Sequence, residues 1–363
     1  MPELQMICLA LLAGVALFTA VLMFRSRLTR RSLFSVAAVP TVGIVLLIAG
    51  CGGSSDSKST DESTIKAVAT TTQVADFVRE VGGDKVEVSQ ILQPNTDPHD
   101  YEPRPSDVEA FTDADLVFRS GGHLDEWVGQ LVDDSGSTAE IVDLSTDLPV
   151  ELLGDEHEDE GHADEAGHEG SAEEHAGGEI DPHWWHDPTN AEAAVVTVAK
   201  ALSDANPDDG NAFEAKAAKF SSAIGAVDDG FASCLAELPP EDRKMVTDHD
   251  AFGYLANHFD IEVVGTIIPA LTTQAQPSAG ELAELEDTIK AEGVKAVFPE
   301  SSVSPKLSEA VASDTGASTD YVLYGDTLGP EGSGAATYLE MMESNADQIM
   351  RGLTGGKKGC QFP

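Results

Sequence analysis

The feature that most constrains the fold is an alternation of strand and helix patterns that runs twice along the chain. In the first half, short apolar segments (IKAVATT, KVEVSQIL, DLVFRSG and AEIVDL) are separated by segments of helical period. The second half repeats this order with KMVTD, IEVVGTI, VKAVFPE and DYVLYG. Strands that alternate with helices are typical of βαβ units and parallel sheets. The sequence therefore predicts an α/β protein with two lobes, each a mostly parallel sheet flanked by helices.

A long helical segment separates the two predicted lobes. Pro207 suits its start and Pro239 its end. Its interior carries apolar residues at helical spacing, at Phe213, Ala217, Phe220, Ile224, Val227, Phe231 and Leu235. We predict an N-terminal lobe over 65–205, an interdomain helix over 206–239 and a C-terminal lobe over 240–363. A helix of about thirty residues is about 45 Å long, so the connection should be a stiff rod.

The N-terminal region has the pattern of an export and anchoring signal. From Met23, a basic segment and an apolar run precede the small-residue end LIAGC, in which Cys51 fits the acylated cysteine of a lipoprotein. The alternative is a transmembrane helix, for which the apolar run is short because a span takes about 20 residues. We expect a signal region over 1–50, with Met23 as the true start, and a flexible lipid-anchored tether over 51–64. If Met23 is not the true start, the alternative is that residues 1–22 form an additional membrane segment.

Two further cysteines belong to the part of the chain that follows the signal. Cys234 and Cys360 form an even pair in a domain predicted to be exported, and an extracytoplasmic location permits a disulfide. The sequence leaves two alternatives, a bridge between them or two separate thiols.

The charge balance favours a cation as ligand. The chain has 64 acidic and 21 basic side chains, for a formal net charge of −43. Nucleic acid is excluded as a partner because phosphate binding needs a surface of Lys and Arg. An acidic loop over 155–180 also carries His157, His162, His168 and His175. We expect this segment to be mobile and to bind zinc weakly, the alternative being a solvated loop without function.

Residues that bind metals follow several of the predicted strands. His99 follows KVEVSQIL, His183 follows the acidic loop, His249 follows KMVTD, and Asp326 follows DYVLY. Ligands in open α/β sheets bind at the carboxyl ends of strands, so these side chains should meet in the cleft between the lobes. Three imidazoles and one carboxylate form a four-coordinate set that suits Zn²⁺. Taken singly, His249 also fits a helix-capping role, and Asp326 also fits an ordinary turn.

Three other residues are candidates for support around this set. Glu300 ends the strand VKAVFPE, where it can orient a ligand imidazole or replace Asp326 as a carboxylate ligand. His123 begins a predicted helix beside the cleft and is expected in a supporting position. His186 is expected near the mouth of the site, because an extended backbone would point it away from His183.

Four motifs in this order resemble the zinc/manganese class of substrate-binding lipoproteins of ABC transporters. They are DPHDYEPRPSDVEAFTDADLVFRSGGHLDEWV, DPHWWHDP, HDAFGYLANHFDIEVVGT and FPESSVSPKLSEAVASDTG, and the similarity covers nearly all of 65–350. The resemblance implies two α/β lobes joined by one long helix, with a metal between them. The family's ligands then correspond to His99, His183, His249 and Asp326. It also implies a monomeric receptor, not an enzyme, that serves a membrane permease.

The third ligand position bears on which metal is bound. Manganese-binding members often place Glu where this chain has His249, and imidazole suits zinc better than manganese. The resemblance therefore implies a receptor that delivers Zn²⁺ to an ABC importer, with Mn²⁺ as the alternative cargo. The residues taken alone leave two alternative functions of other classes, a zinc hydrolase and a zinc-dependent surface adhesin.

Overall fold

The computed structural model describes residues 64–154 and 179–362, and these contain two parallel β-sheets. The first sheet and its helices comprise β1 Ile65–Ala69, α1 Thr72–Gly82, β2 Val86–Gln90, α2 Pro105–Thr112, β3 Leu116–Arg119, α3 Trp127–Ser135, β4 Glu140–Asp143 and α4 Pro188–Ala205. A long helix, α5 Gly210–Leu235, follows. The second sheet and its helices comprise β5 Lys244–His249, α6 Gly253–Phe259, β6 Glu262–Ile268, α7 Ala279–Glu292, β7 Val297–Phe298, α8 Lys306–Thr315 and α9 Tyr338–Thr354.

Both sheets have the order expected of βαβ units. The strand order is β2-β1-β3-β4 in the first sheet and β6-β5-β7 in the second, and every pair is parallel. The predicted two-lobed α/β fold is confirmed. The residue boundaries drawn between the lobes stay predictions. No helix in the described ranges is long and apolar enough to cross a membrane.

Several predictions fall outside the described residues. They concern the signal region 1–50, Cys51 with its tether up to residue 63, and the four loop histidines, namely His157, His162, His168 and His175.

The prediction of a last strand at DYVLYG is wrong. The segment DYVLYG makes only an isolated bridge, between Leu323 and Glu300. The backbone N–H and C=O of the next residue, Tyr324, are hydrogen-bonded to the side chain of Asn345. Asn345 Oδ1 accepts from Tyr324 N at 2.9 Å, and Asn345 Nδ2 donates to Tyr324 O at 2.8 Å. These bonds replace the strand ladder, and the chain then turns toward Asp326.

The helices around the predicted connection also differ in detail from the expectation. Sequence reasoning missed α4, which begins with Pro188 in its first turn and is capped by Asp187, whose Oδ1 accepts from Thr189 N at 2.8 Å. The connecting helix has 26 residues and begins at Gly210, because a turn at 206–209 ends α4 first. At 1.5 Å per residue, α5 is about 39 Å long.

One continuous hydrophobic core includes residues of both sheets and of α5. Phe77 of α1 packs against Phe220 of α5 at 6.0 Å between ring centroids and against Tyr338 of α9 at 5.0 Å. Near the other end of α5, Phe231 packs against Phe259 of α6 at 4.2 Å. The two sheets therefore share one packed core, and wide separation would expose apolar surface to water.

His258 reinforces this junction. It is half-buried, and its two ring nitrogens lie 3.1 Å from Asp187 Oδ1 and 2.9 Å from Asp228 Oδ1. These two hydrogen-bonded carboxylates outweigh burial and raise the pKa of His258 to about 10. The imidazolium thus ties α6 to the cap of α4 and to α5.

Cys234, at the end of α5, and Cys360, after α9, are joined by a disulfide across a sequence separation of 126 residues. The bond ties the chain after α9 to the connecting helix.

We predict that replacing both cysteines, Cys234→Ser with Cys360→Ser, lowers the free energy of unfolding by about 2–4 kcal/mol. The reason is that the bond restricts the unfolded chain over a long loop. Urea denaturation of the oxidised protein and the double variant measures the difference. Reduced wild-type protein is the control and should match the double variant, and equal midpoints for oxidised and reduced protein would contradict the prediction.

Candidate metal centre

Four side chains from different loops meet between the two sheets. His99 lies in the loop after β2, His183 immediately before the 3₁₀ turn Trp184–His186, His249 at the end of β5, and Asp326 in the loop before α9. Each offers one ligand atom, and these atoms all lie within 4.8 Å of one another. The predicted set is thus brought together in space.

The spacing within the cluster fits a single tetrahedral ion. His183 Nε2 lies 3.3 Å from His99 Nε2 and 3.4 Å from His249 Nε2. The oxygens of Asp326 lie 3.3 Å from His183 Nε2, 3.6 Å from His249 Nε2 and 3.8 Å from His99 Nε2. A tetrahedral Zn²⁺ with ligands at about 2.0–2.1 Å holds neighbouring ligand atoms about 3.3 Å apart. The side chains are therefore close to the arrangement that such an ion requires.

Burial of these side chains favours a bound cation. His183 and His249 are 0% exposed and Asp326 is 2% exposed, whereas the His99 side chain retains 8% exposure. The oxygens of Asp326 have no partner among the described residues other than the imidazole nitrogens of the cluster. An ionised carboxylate buried without a partner costs several kcal/mol. A divalent cation bound at the centre would offset that cost.

Two further carboxylates orient the buried imidazoles. Asp181 Oδ1 lies 2.7 Å from His183 Nδ1, and Glu300 Oε1 lies 2.7 Å from His249 Nδ1. Each carboxylate accepts from Nδ1 and leaves Nε2 directed at the centre, which is the usual arrangement around a metal-binding histidine. Glu300 lies where sequence reasoning expected an orienting group.

Sequence reasoning missed Asp181, although a signal was available. Both Asp-Pro-His motifs use their Asp in the same way, since Asp97 Oδ1 accepts from His99 N and Asp181 Oδ1 accepts from His183 N, each at 2.9 Å. The repeated motif indicated that the aspartate organises the loop. It did not indicate that Asp181 also reaches the ring of His183.

The charges around the site shift the pKa values of its members. Burial opposes protonation of His183, but the carboxylates of Asp181 and Asp326 overcome it and raise its pKa to about 10. Burial likewise opposes protonation of His249, and Glu300 and Asp326 raise its pKa to about 9. Burial disfavours the Asp326 carboxylate, but the three imidazoles outweigh it and hold its pKa well below the usual range. A metal ion therefore competes with protons for these imidazoles.

The position of Glu300 depends on a second carboxylate and on a glycine. Asp248 Oδ2 accepts from Glu300 N at 2.7 Å. A Cβ at Gly325 would collide with Glu300 Oε2. Gly325 is therefore needed for Glu300 to lie against His249.

Two supporting predictions are wrong. His186 is not at the mouth of the site: it is 0% exposed and packs on Phe252 with 4.8 Å between ring centroids, because a 3₁₀ turn replaces the expected extended backbone. Burial and the neighbouring His183 lower the pKa of His186 to about 3. His123 does not support a ligand either, since its side chain is exposed and its Nδ1 lies 2.5 Å from Glu126 Oε1.

The two tryptophans of this segment are buried next to His183, and Trp185 forms a wall of the site. Trp184 and Trp185 are almost completely buried, and their indole N–H groups donate to Ser120 O and Gly325 O, each at 3.0 Å. Trp185 also packs against His183, with 5.6 Å between ring centroids.

Fold and site together define a two-lobed metal-binding protein with its site between two parallel sheets. Residues 67–352 match the family model described as "ZnuA: Zinc-uptake complex component A periplasmic". The chain belongs to this family, whose members are extracytoplasmic metal-binding receptors of ABC importers and work with a membrane permease. It is accordingly a transport receptor and not an enzyme.

Individual relatives are named for different metals. The chain is 28% identical over 311 residues to the manganese-binding lipoprotein MntA of Halalkalibacterium halodurans, covering 86% of this chain and 96% of that protein. It is 26% identical over 327 residues to the iron-binding protein YfeA of Yersinia pestis, covering 90% and 98% respectively. Among solved structures, the periplasmic zinc-binding protein TroA of Treponema pallidum superposes with a TM-score of 0.68 at 27% identity, covering 80% of this chain and 99% of that chain.

We predict that Gly325→Ala weakens Zn²⁺ binding by about ten- to a hundredfold, the usual effect of disturbing a partner of a metal-binding histidine. The added methyl group would push Glu300 away from His249. Calorimetric titration of the purified variant with Zn²⁺ measures the loss.

Gly280→Ala is the matched control for this substitution. Gly280 lies at the exposed start of α7, and a Cβ there meets no atom closer than 3.7 Å. It should bind like the wild type, and equal affinities for the two variants would show that Gly325 has no role in the site.

Proposed function

We propose that this protein captures Zn²⁺ through His99, His183, His249 and Asp326 and delivers it to an ABC permease of the cytoplasmic membrane. The observation that carries the proposal is the convergence of three imidazole Nε2 atoms and one buried carboxylate at spacings suited to a tetrahedral ion. Lipid attachment at Cys51, after removal of the signal region, would keep the receptor at the outer face of that membrane.

Zinc is favoured over manganese by the chemistry of the ligands. Carboxylate and water oxygens suit Mn²⁺, whereas imidazole suits Zn²⁺, and here nitrogen supplies three of the four ligand positions. The carboxylates of Asp181 and Glu300 are occupied by the Nδ1 atoms of His183 and His249. Both carboxylates therefore serve to orient the rings whose Nε2 atoms face the centre of the cluster.

We predict that the mature protein binds one Zn²⁺ with submicromolar affinity and binds Mn²⁺ at least about a hundredfold more weakly, a difference of about 2.7 kcal/mol. His183→Ala should abolish tight Zn²⁺ binding because it removes a ligand from the centre of the cluster. Calorimetric titrations with each metal, confirmed by metal analysis of the purified protein, test this.

His123→Ala is the matched control because it removes an exposed histidine that does not belong to the cluster. It should bind zinc like the wild type. Tighter binding of Mn²⁺ than of Zn²⁺ would identify a manganese receptor, and unchanged Zn²⁺ binding by His183→Ala would refute the proposed site.

We predict that Zn²⁺ binding at pH 7 releases about one to two protons, since neutral imidazole is the form that binds metal. In the metal-free protein the pKa values of His183 and His249 are raised to about 10 and about 9, so both hold protons at neutral pH. Affinity should therefore rise with pH up to this range. It should fall about tenfold per released proton for each pH unit of acidification.

Titrations in buffers of different ionisation enthalpy measure the number of protons released. His123→Ala should release the same number as the wild type. A binding heat that does not depend on the buffer would contradict the pKa shifts.

A further inference from the structure

The loop between β6 and α7, residues 269–278, reaches from the second sheet across to the loop that carries His99. Thr273 Oγ1 donates to Asp97 Oδ2 at 2.6 Å, and Gln274 Nε2 donates to His99 O at 2.5 Å. The same Asp97 accepts from His99 N through its other oxygen at 2.9 Å. The backbone on both sides of the His99 side chain is thus tied, directly or through Asp97, to two residues of the opposite lobe.

A second group of hydrogen bonds crosses between the lobes on the inner side of the site. Thr327, next to Asp326, accepts from Asn95 N through its Oγ1 at 3.2 Å. Leu328 N donates to Thr72 Oγ1 at 2.8 Å. Thr72 and Thr327 are almost completely buried, and Leu328 belongs to the continuous core.

The two groups of bonds differ in how easily they can open. Breaking the bond from Leu328 N to Thr72 Oγ1 would leave a buried polar atom without its partner, which costs about 1–3 kcal/mol. Thr273 is half-buried and Gln274 is exposed, so water can replace their bonds when they break. His99 is also the only one of the four cluster residues that is not fully buried. The side of the site next to His99 is therefore where it opens at least cost.

We propose that Thr273 and Gln274 form a latch that holds His99 in its metal-binding position and sets the rate at which the ion leaves. Both are positioning residues, since neither contacts the cluster itself. When the latch opens, Asp97 and the backbone of His99 lose their partners in the second lobe, and His99 moves away with the part of its loop that follows Asn95. The other three ligands stay in place because they are anchored in buried structure. This inference rests on the proposed capture of Zn²⁺ by the cluster.

The size of the effect follows from the strength of the bonds that are removed. Thr273 donates to a carboxylate, and a hydrogen bond to a charged group in a partly exposed place changes a rate by roughly five- to fiftyfold. The latch is distant from the core, so its loss should leave the stability of the metal-free protein unchanged. A split between release rate and stability is what distinguishes a latch from a general structural role.

The experiment measures Zn²⁺ release from the loaded full-length mature protein by stopped-flow mixing with an excess of a chromophoric chelator. Thr273→Val removes the hydroxyl group at constant shape, and Gln274→Met removes the amide donor at similar length. Thr273→Ser restores the donor and should restore slow release. Thr288→Val is the matched control, because the Thr288 hydroxyl donates only within its own exposed helix, to Glu284 O at 3.0 Å.

We expect release to be roughly five- to fiftyfold faster in Thr273→Val and faster again when Gln274→Met is added. Thr273→Ser and Thr288→Val should stay within about twofold of the wild type, and all metal-free melting temperatures should agree. The latch is overturned if the double variant releases Zn²⁺ at the wild-type rate, or if its faster release is accompanied by a lower metal-free melting temperature. If the wild-type protein takes up no Zn²⁺, the proposed function fails instead.

Discussion

The buried Asp326 carboxylate, facing three imidazole nitrogens, is the interaction on which the rest of the structure depends. Without a cation, its charge is balanced by protons on His183 and His249, whose pKa values are raised by Asp181 and Glu300 together with Asp326. The surrounding structure fixes this arrangement. Asp181 and Glu300 orient two of the rings, Asp248 holds Glu300, and Gly325 leaves room for it. A cluster so constrained is pre-organised for a small divalent ion, since little ordering is left for binding to impose.

The fold brings these groups together through the topology of its sheets. In each sheet, parallel strands end on the same edge, and the loops that follow them carry the ligands. The two edges face each other because α1, α5, α6 and α9 pack into one core. The position of the site is therefore determined by apolar packing some distance away, while its fine geometry is set by hydrogen bonds within the loops.

The parts of the site that depend on local pattern could be predicted from the sequence. Strand ends indicated His99 and His249, a predicted strand that does not form indicated Asp326, and the end of the acidic loop indicated His183. The strand that precedes Glu300 placed its carboxylate beside a ligand. Contacts that depend on backbone turns could not be predicted in this way. The 3₁₀ turn that buries His186 and the side-chain bonds of Asn345 that replace the last strand leave no periodic signal in the sequence. The role of His258 depends on Asp187 and Asp228, which approach it only in the folded chain.

The shared core has a consequence for the energetics of transport. Receptors whose halves separate widely can convert a large shape change into a signal and use it to weaken their hold on the cargo. Here such a motion would expose the apolar packing between Phe77 and Tyr338 to water, so the scaffold should differ little between its loaded and empty forms. The energy needed to remove the ion must then come from the protein to which the receptor docks. A transporter would recognise cargo through the surface of a few loops and would have to supply the energy of removal locally.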